Sequence, residues 1–233
     1  MHDECLVVDL GRRDYLETWE LQKRLAARRL AGEIHDVLLF VEHPPTYTLG
    51  RNAKSENLLV PRERLLELGA TVVETNRGGD VTFHGPGQLV GYPIVDLRKL
   101  RRDVTWYVRS IEEVLIRALR SFGIEAGRVS GRTGVWHSEG KLAAIGIHIS
   151  RWVTSHGFAL NVSTDLRYFD RIVPCGIVGA PVTSLEKVMK RELAPAETSA
   201  VKSRIASEWG FVFGRLLTRQ ETFEAPDGQR AAS

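Results

Sequence analysis

The sequence has few cysteines and no long hydrophobic run, and both absences exclude classes of protein. Of its 233 residues only Cys5 and Cys175 are cysteines, which excludes a disulfide framework or a zinc site built on paired cysteines. The longest apolar run, Val37 to Val41, falls far short of the ~20 residues that a membrane-spanning helix needs. The N-terminus has no basic segment leading into an apolar one, so we expect no signal peptide. We therefore expect a soluble cytoplasmic protein with reduced thiols, no membrane association and no metal.

The sequence also lacks a large excess of charge of either sign. The chain has 32 basic and 29 acidic residues, a formal charge of +3, too small to indicate a nucleic-acid partner. Its 43% hydrophobic and 26% charged residues are typical of a globular domain. We expect one domain over residues 1–224, a disordered tail over 225–233, and a monomer, since nothing in the sequence demands more.

Helical and strand-like segments alternate along the chain, with tight turns between several strands. This mixture predicts the α+β class, a mixed β-sheet flanked by helices. Gly32 is expected to end the first helix, and the last helix is expected to end before the apolar run 211–213. We expect strands over 5–10, 36–42, 71–74, 135–137, 141–150 and 153–162, and helices over 15–30, 61–68, 104–122 and 197–209.

Residues 77–92 carry five glycines in sixteen positions. Glycine loses the most entropy on ordering, so this density makes sense where a ligand must approach bare backbone. Arg77 offers a charged fork, while Thr82, His84, Gln88 and Tyr92 offer hydrogen-bonding groups. The segment is neither a Walker loop nor a Gly-x-Gly-x-x-Gly loop. It predicts either a ligand-binding segment or a glycine-rich hairpin with incidental polar residues.

Lys141 opens an apolar segment, 140–148, that alternates like a strand. Strict alternation would place its side chain on the face of Ala143 and Ile145, opposite Ala144. Such a lysine can simply extend its ammonium into solvent. The chain has 25 arginines and only 7 lysines, and a site that needs a titratable amine cannot use arginine. A functional role for Lys141 and a solvated lysine both stay open on these grounds.

The two cysteines differ in their surroundings. Cys5 lies within an apolar strand and is expected to be buried and inert. Cys175 lies between Pro174 and Gly176, where a regular strand or helix is unfavourable, so we expect a fixed loop there. It can act as a nucleophile only beside an electropositive group that favours the thiolate.

Together these segments resemble the octanoyltransferase family, also called lipoate–protein ligase B. The resemblance lies in RGGDVTFHGPGQLVGYP (77–93), GKLAAIGIHISRWVTSHGFALNV (140–162) and IVPCGI (172–177), with HPPTYTLG (43–50). It implies a single domain of the biotin/lipoate protein ligase type that needs no cofactor. The family moves an octanoyl group from octanoyl-acyl carrier protein to one lysine of apo lipoyl domains, in 2-oxoacid dehydrogenase E2 subunits and the glycine cleavage H protein. It does so through a cysteine thioester.

The resemblance also implies site residues. The catalytic pair matches Cys175 and Lys141, whose ammonium would favour the thiolate and later accept a proton from the acceptor amine. The residues that match the family's substrate-binding segments are Arg77, Gly78, Gly79, Asp80, Val81, Thr82, Phe83, His84, Ala144, Ile145, Gly146, Gly157, Phe158 and Ala159.

Several alternatives stay open. His84 either orients the acceptor amine or forms a wall of the pocket. Backbone N–H groups near Gly78 and Gly79, or at Lys141, are candidates to polarise the thioester carbonyl. Rival functions are an ATP-dependent lipoate or biotin ligase, a lipoyl-domain amidotransferase, and a module that binds lipid carriers without catalysis.

Overall fold

The computed structural model describes residues 4–174 and 179–220 and is built on an eight-stranded sheet. In spatial order, its strands are β11 (Leu216–Gln220), β1 (Glu4–Arg12), β2 (Asp36–Glu42), β6 (Gln88–Ile94), β10 (Val153–Asn161), β9 (Gly140–Ser150), β8 (Arg132–His137) and β7 (Gly127–Val129). Strand β1 pairs in parallel with β2 and β11, and the other pairs are antiparallel. The predicted mixed sheet is confirmed.

Helices cover both faces of this sheet. Helix α1 (Tyr15–Ala31) packs on one face, where Asp14 caps its first turn and Gly32 ends it in a left-handed conformation, as the sequence predicts. Helices α3 (Val104–Arg120) and α5 (Pro195–Phe213) pack on the other face. Two short helices, α2 (Arg62–Glu67) and α4 (Leu185–Met189), complete the α+β arrangement.

A second, three-stranded sheet stands beside the first. Its order is β4 (Thr71–Glu74), β3 (Thr46–Leu49) and β5 (Val81–His84). It has its own apolar cluster, in which Tyr47 and Phe83 pack against the 3-10 turn Leu166–Arg171. Because β5 and β6 lie in different sheets, residues 77–92 do not form the hairpin that one interpretation allowed.

Strands β3, β5, β6 and β7 were not among the predicted elements, and further differences lie at the C-terminal end. Helix α5 does not stop at Trp209 but continues through 211–213, because Trp209 and Phe213 stack four residues apart at 4.1 Å on the buried face. Strand β11 follows and was not predicted. In the part of the chain that the structure describes, no helix is long and apolar enough to cross a membrane.

Candidate active site

A cavity of about 400 Å³ lies where the two sheets and helix α1 meet. Twelve of the fourteen predicted substrate-binding residues line it together with Lys141. These twelve are Arg77, Gly78, Gly79, Asp80, Thr82, His84, Ala144, Ile145, Gly146, Gly157, Phe158 and Ala159. Segments 77–84 and 141–159, which lie more than 50 residues apart in the sequence, therefore contribute to one site.

Glycines allow strands β9 and β10 to approach other backbone closely here. A Cβ atom on Gly146 would lie 2.9 Å from the carbonyl oxygen of Gly78, and one on Gly157 would lie 2.2 Å from that of Gly91. Any side chain at these positions would clash with backbone, so both glycines shape the cavity wall.

Lys141 reaches the cavity because of a β-bulge. The pairing of β8 with β9 shifts between Trp136–Lys141 and Val135–Ala143, which leaves Leu142 as an extra residue. Leu142 and Ala143 consequently both face the core beneath α3, and Lys141 lines a space shared with Ala144. The predicted alternation, which grouped Lys141 with Ala143, is wrong for this reason.

The Lys141 side chain is held by its neighbours on β8. Its Nζ lies 4.8 Å from the centre of the Trp136 ring, within cation–π range. A Cβ on Gly134 would lie 3.5 Å from its Cε. The side chain is 6% exposed, so the ammonium is a buried charge and not the solvated group of the alternative interpretation.

Two of the suggested backbone donors are already engaged. The N–H of Lys141 donates to the carbonyl of Pro181 at 2.8 Å, and that of Gly78 donates to Ile147 at 2.8 Å. Neither is available to polarise a thioester carbonyl, so that expectation is wrong for both residues.

Cys175 lies outside the described residues. The chain on each side of residues 175–178 reaches Lys141. Pro174 and Val182 line a second, smaller cavity with the lysine, and the backbone of Lys141 bonds to Pro181 and Thr183. The assignment of Cys175 as a nucleophile stays a prediction.

Arg77 is buried, with 7% of its surface exposed, and its guanidinium forms hydrogen bonds with the small sheet. Its Nη2 donates to the carbonyl and the hydroxyl oxygen of Thr48, at 2.6 and 2.9 Å, and its Nη1 donates to the carbonyl of Gly78 at 3.1 Å. The guanidinium thus fixes the glycine loop against β3 and adds a positive charge beside the cavity.

The imidazole of His84 is neutral and lines the cavity, and each of its ring nitrogens has a hydrogen-bond partner. The side-chain amide of Gln88 donates to two other acceptors, so its oxygen accepts from Nδ1 of His84 at 2.9 Å. The Thr48 hydroxyl accepts from Arg77, and its proton points to Nε2 of His84 at 3.3 Å. Burial, and then the charges of His43 and Arg77, hold the pKa of His84 well below 6.5. These bonds favour the wall over an amine-orienting role.

Sequence reasoning missed several lining residues, among them Tyr15 and His156. Burial raises the pKa of Tyr15 to about 12 and lowers that of His156 to about 3. Tyr15 comes from α1 and His156 from β10, so only the tertiary fold brings them together, and no local signal could have found them. Tyr92, which the glycine-rich segment offered as a hydrogen-bonding group, lines the cavity and donates to Nε2 of His43, whose pKa burial lowers to about 4.

Three of the predicted substrate-binding residues, and Cys5, make contacts that indicate a structural role. The side chains of Val81 and Phe83 point into the apolar cluster of the small sheet, away from the cavity. Asp80 accepts from the side chain of Asn57 at 2.5 Å and from the N–H of Val81 at 2.7 Å, so it anchors a loop. Cys5 is fully buried, as predicted, and burial, with Asp36 nearby, raises the pKa of its thiol.

Comparisons with known proteins show the family to which the chain is related. Residues 14–208 match the model of the lipoyl protein ligase A/B catalytic domain. An octanoyltransferase of Solibacter usitatus is 59% identical over 181 residues, covering 78% of this chain and 82% of its own. An octanoyltransferase of Koribacter versatilis is 52% identical over 212 residues, covering 89% and 83%.

Solved structures show the same fold at low identity. A bipartite lipoate protein ligase from Thermoplasma acidophilum matches with a TM-score of 0.72 at 16% identity, covering 96% of this chain and 89% of that one. A lipoate-protein ligase A solved with ATP matches with a TM-score of 0.70 at 15% identity, covering 96% and 90%. The expected ligase-type fold is confirmed.

Proposed function

The chain belongs to the octanoyltransferase family, within the lipoyl protein ligase A/B catalytic domain, and we propose that Cys175 carries the octanoyl group as a thioester between donor and acceptor. It is an acyltransferase that transfers octanoyl groups in protein lipoylation. In the proposal the donor is octanoyl-acyl carrier protein. The acceptor is one lysine of an apo lipoyl domain, in a 2-oxoacid dehydrogenase E2 subunit or a glycine cleavage H protein.

The observation that carries the proposal is the placement of a buried ammonium at one end of a narrow, largely apolar cavity. Strands β9 and β10 form its floor, with Ala144 paired to Ala159 near Lys141 and Ile147 paired to His156 at the far end. These pairs are three residues apart, about 10 Å along a strand. That length suits an extended medium-length acyl chain whose carbonyl lies beside the lysine.

In the proposal Lys141 acts in both half-reactions, first as a proton donor and then as a proton acceptor. The Cys175 thiolate attacks the donor carbonyl, the carbon–sulfur bond to the carrier breaks, and the Lys141 ammonium gives its proton to the leaving carrier thiolate. The acceptor amine then attacks the Cys175 thioester, the second carbon–sulfur bond breaks, and the neutral Lys141 takes the amine proton. The enzyme returns to its starting thiolate and ammonium.

The rival ligase differs in its energy source. Exchange of one thioester for another is near thermoneutral, and amide formation from a thioester is favourable. The proposed route therefore needs neither ATP nor another cofactor. An amidotransferase would share the pair Cys175 and Lys141 and differ only in its donor.

The test is the intact mass of the protein after mixing with octanoyl-acyl carrier protein and no ATP, followed by peptide mapping. We expect one octanoyl group on Cys175, discharged by apo lipoyl domain. Cys175→Ser should abolish the transfer, and Cys5→Ala, the matched control in the core, should retain the adduct. Modification of the lipoyl domain only with ATP and free octanoate would replace the proposal with a ligase, and efficient transfer from octanoylated lipoyl domain alone would replace it with an amidotransferase. Reversible binding of the donor with no adduct would make the protein a carrier-binding module.

We further propose that the enzyme acts as a monomer in the cytoplasm, without a membrane or nucleic-acid partner. A free catalytic thiol needs a reducing compartment. Light scattering in solution with octanoyl-acyl carrier protein present should give the mass of one enzyme chain and one carrier.

A further inference from the structure

The cavity extends through a gap in the large sheet. Pairing between β8 and β9 ends at Val135 and Ala143, and β8 bends away at Gly134, whose φ is +123°. Beyond that point the cavity is lined by Val108 of α3 and by Gly131, Arg132 and Thr133 of the β7–β8 hairpin. We call this opening, bounded by Val108, residues 131–133 and Ile145, the β8–β9 cleft. It begins beside Lys141 and lies on the α3 side of the sheet, apart from the acyl-binding floor.

The edge of β9 is open inside this cleft. The carbonyl of Ile147 accepts from the N–H of Gly78 at 2.8 Å, so the backbone of Ile147 points away from β10. The register of β9 with β10 is regular from residue 143 to residue 150. Ile145, two residues earlier, therefore points its N–H and carbonyl the same way, toward the cleft. Thr133 stands on the opposite wall, and the β8–β9 register does not reach it.

We propose that the β8–β9 cleft binds the amide-bearing arm through which the acyl thioester is attached to its carrier. An open strand edge recognises an extended chain through its N–H and carbonyl groups. An arm with secondary amides, ending in a thioester, can pair with Ile145 and deliver its carbonyl to Lys141. The inference rests on the proposed function, because only a thioester donor brings such an arm.

Charge at the mouth of the cleft favours the donor arm. Arg132 is exposed and lies 5.6 Å from the Trp136 ring, the ring that also contacts Lys141 at 4.8 Å. Within residues 4–174 and 179–220, Arg132 makes no ion pair. A carrier arm attached through a phosphodiester would place its thioester at Lys141 and its anion near Arg132. The acceptor brings an amine and no phosphodiester, so the donor arm is the better occupant.

The test compares octanoyl thioesters of pantetheine, of phosphopantetheine and of ethanethiol, which lacks amides. Acylation of the enzyme is followed in single turnovers by intact mass. We expect the pantetheine thioester to react about tenfold faster than the ethanethiol thioester, since two neutral hydrogen bonds contribute about that much. Val108→Phe, which narrows the cleft, should bring this ratio near one. Arg132→Glu should slow the phosphopantetheine thioester severalfold more than the pantetheine thioester.

Two control variants make the same kinds of substitution at positions outside the cleft. Val104→Phe adds a ring to an exposed position of α3, and Arg24→Glu reverses an exposed charge on α1. Both should keep the wild-type ratios. Equal rates for the pantetheine and ethanethiol thioesters with the wild-type enzyme would overturn the inference, even if Val108→Phe failed to fold. So would a Val108→Phe enzyme that is acylated normally but discharges slowly to apo lipoyl domain, since the acceptor would then occupy the cleft. No acylation by any donor would instead refute the proposed function, and the donor subsite with it.

Discussion

The ammonium of Lys141 lies 4.8 Å from the centre of the indole ring of Trp136, on the neighbouring strand of the sheet. Both residues are almost fully buried. A buried ammonium loses its hydration, and an aromatic face replaces part of that loss. Trp136 therefore holds the Lys141 side chain in place beside the cavity.

Replacing the indole should weaken this hold. We expect Trp136→Leu to slow enzyme acylation roughly tenfold, in line with about 0.5–2 kcal/mol for a cation–π contact, and Trp136→Phe to slow it less. The donor concentration that gives half the maximal rate should stay near the wild-type value, because Trp136 contacts Lys141 and is not among the described residues that line the cavity. Single-turnover rates over a range of donor concentrations measure both effects.

Trp106→Leu is the matched control for loss of an indole. Trp106 packs on the same core and lies near Arg101, 6.0 Å from ring centre to guanidinium, away from the cavity. It should lower stability without changing the rate of acylation. If the two tryptophan variants slow acylation equally, Trp136 is a packing residue only.

Gly134 also positions Lys141, because its backbone conformation and its lack of a side chain let β8 pass close to β9. A Cβ there would lie 2.5 Å from the carbonyl oxygen of Ala143, at a φ of +123° that side chains rarely adopt. Gly134→Ala should cost about 3 kcal/mol of unfolding free energy and reduce acylation, because β8 must move away from β9. Gly127→Ala, on the adjacent strand with nothing within 4 Å, should be nearly neutral. Equal urea midpoints for the two variants would show that the bend is not fixed by this contact.

The fold was predictable where the signal is local, and the site only in part. Gly32 ends α1, and the apolar run Val37 to Val41 forms the centre of strand β2, because each depends on neighbouring residues alone. The side on which Lys141 emerges depends on an extra residue in the β8–β9 pairing, which no single strand encodes. Val108 likewise reaches the site only because α3 packs beneath the open edge of β9. The segments rich in glycine and polar residues located the cavity, and tertiary contacts determined its walls.

Asp80 was predicted to bind substrate, and its bonds indicate a structural role. Its carboxylate holds Asn57, whose carbonyl accepts from the N–H of Val173 at 2.8 Å, two residues before Cys175. Asp80→Ala should cost about 2–4 kcal/mol, because it leaves buried donors without acceptors. Asn57→Ala should be similar, and the double variant should lose less than the sum, with about 1–2 kcal/mol of coupling. Additive losses, or a raised KM for the donor with unchanged stability, would assign Asp80 to the substrate.

Three buried imidazoles make the stability of the protein sensitive to mild acid. Burial holds the pKa of His43 at about 4 and that of His156 at about 3, and it holds the pKa of His84 well below its usual value. In the unfolded chain histidine titrates near 6.5. Between pH 6.5 and pH 4 the unfolded state therefore binds protons that the folded state does not, so stability is highest above pH 6.5 and falls with pH through this window.

Each of these histidines should contribute a slope of up to about 1.4 kcal/mol per pH unit to the unfolding free energy. His156→Asn should remove one such contribution, and asparagine tolerates the left-handed backbone at this position, where φ is +56°. His35→Asn, at an exposed position, should leave the slope unchanged. Urea unfolding at half-unit steps from pH 4.5 to pH 7 measures the slope. A His156→Asn protein as sensitive to acid as the wild type would mean that His156 takes up its proton without unfolding. The acid sensitivity would then belong to His43 and His84, whose ring nitrogens are all hydrogen-bonded.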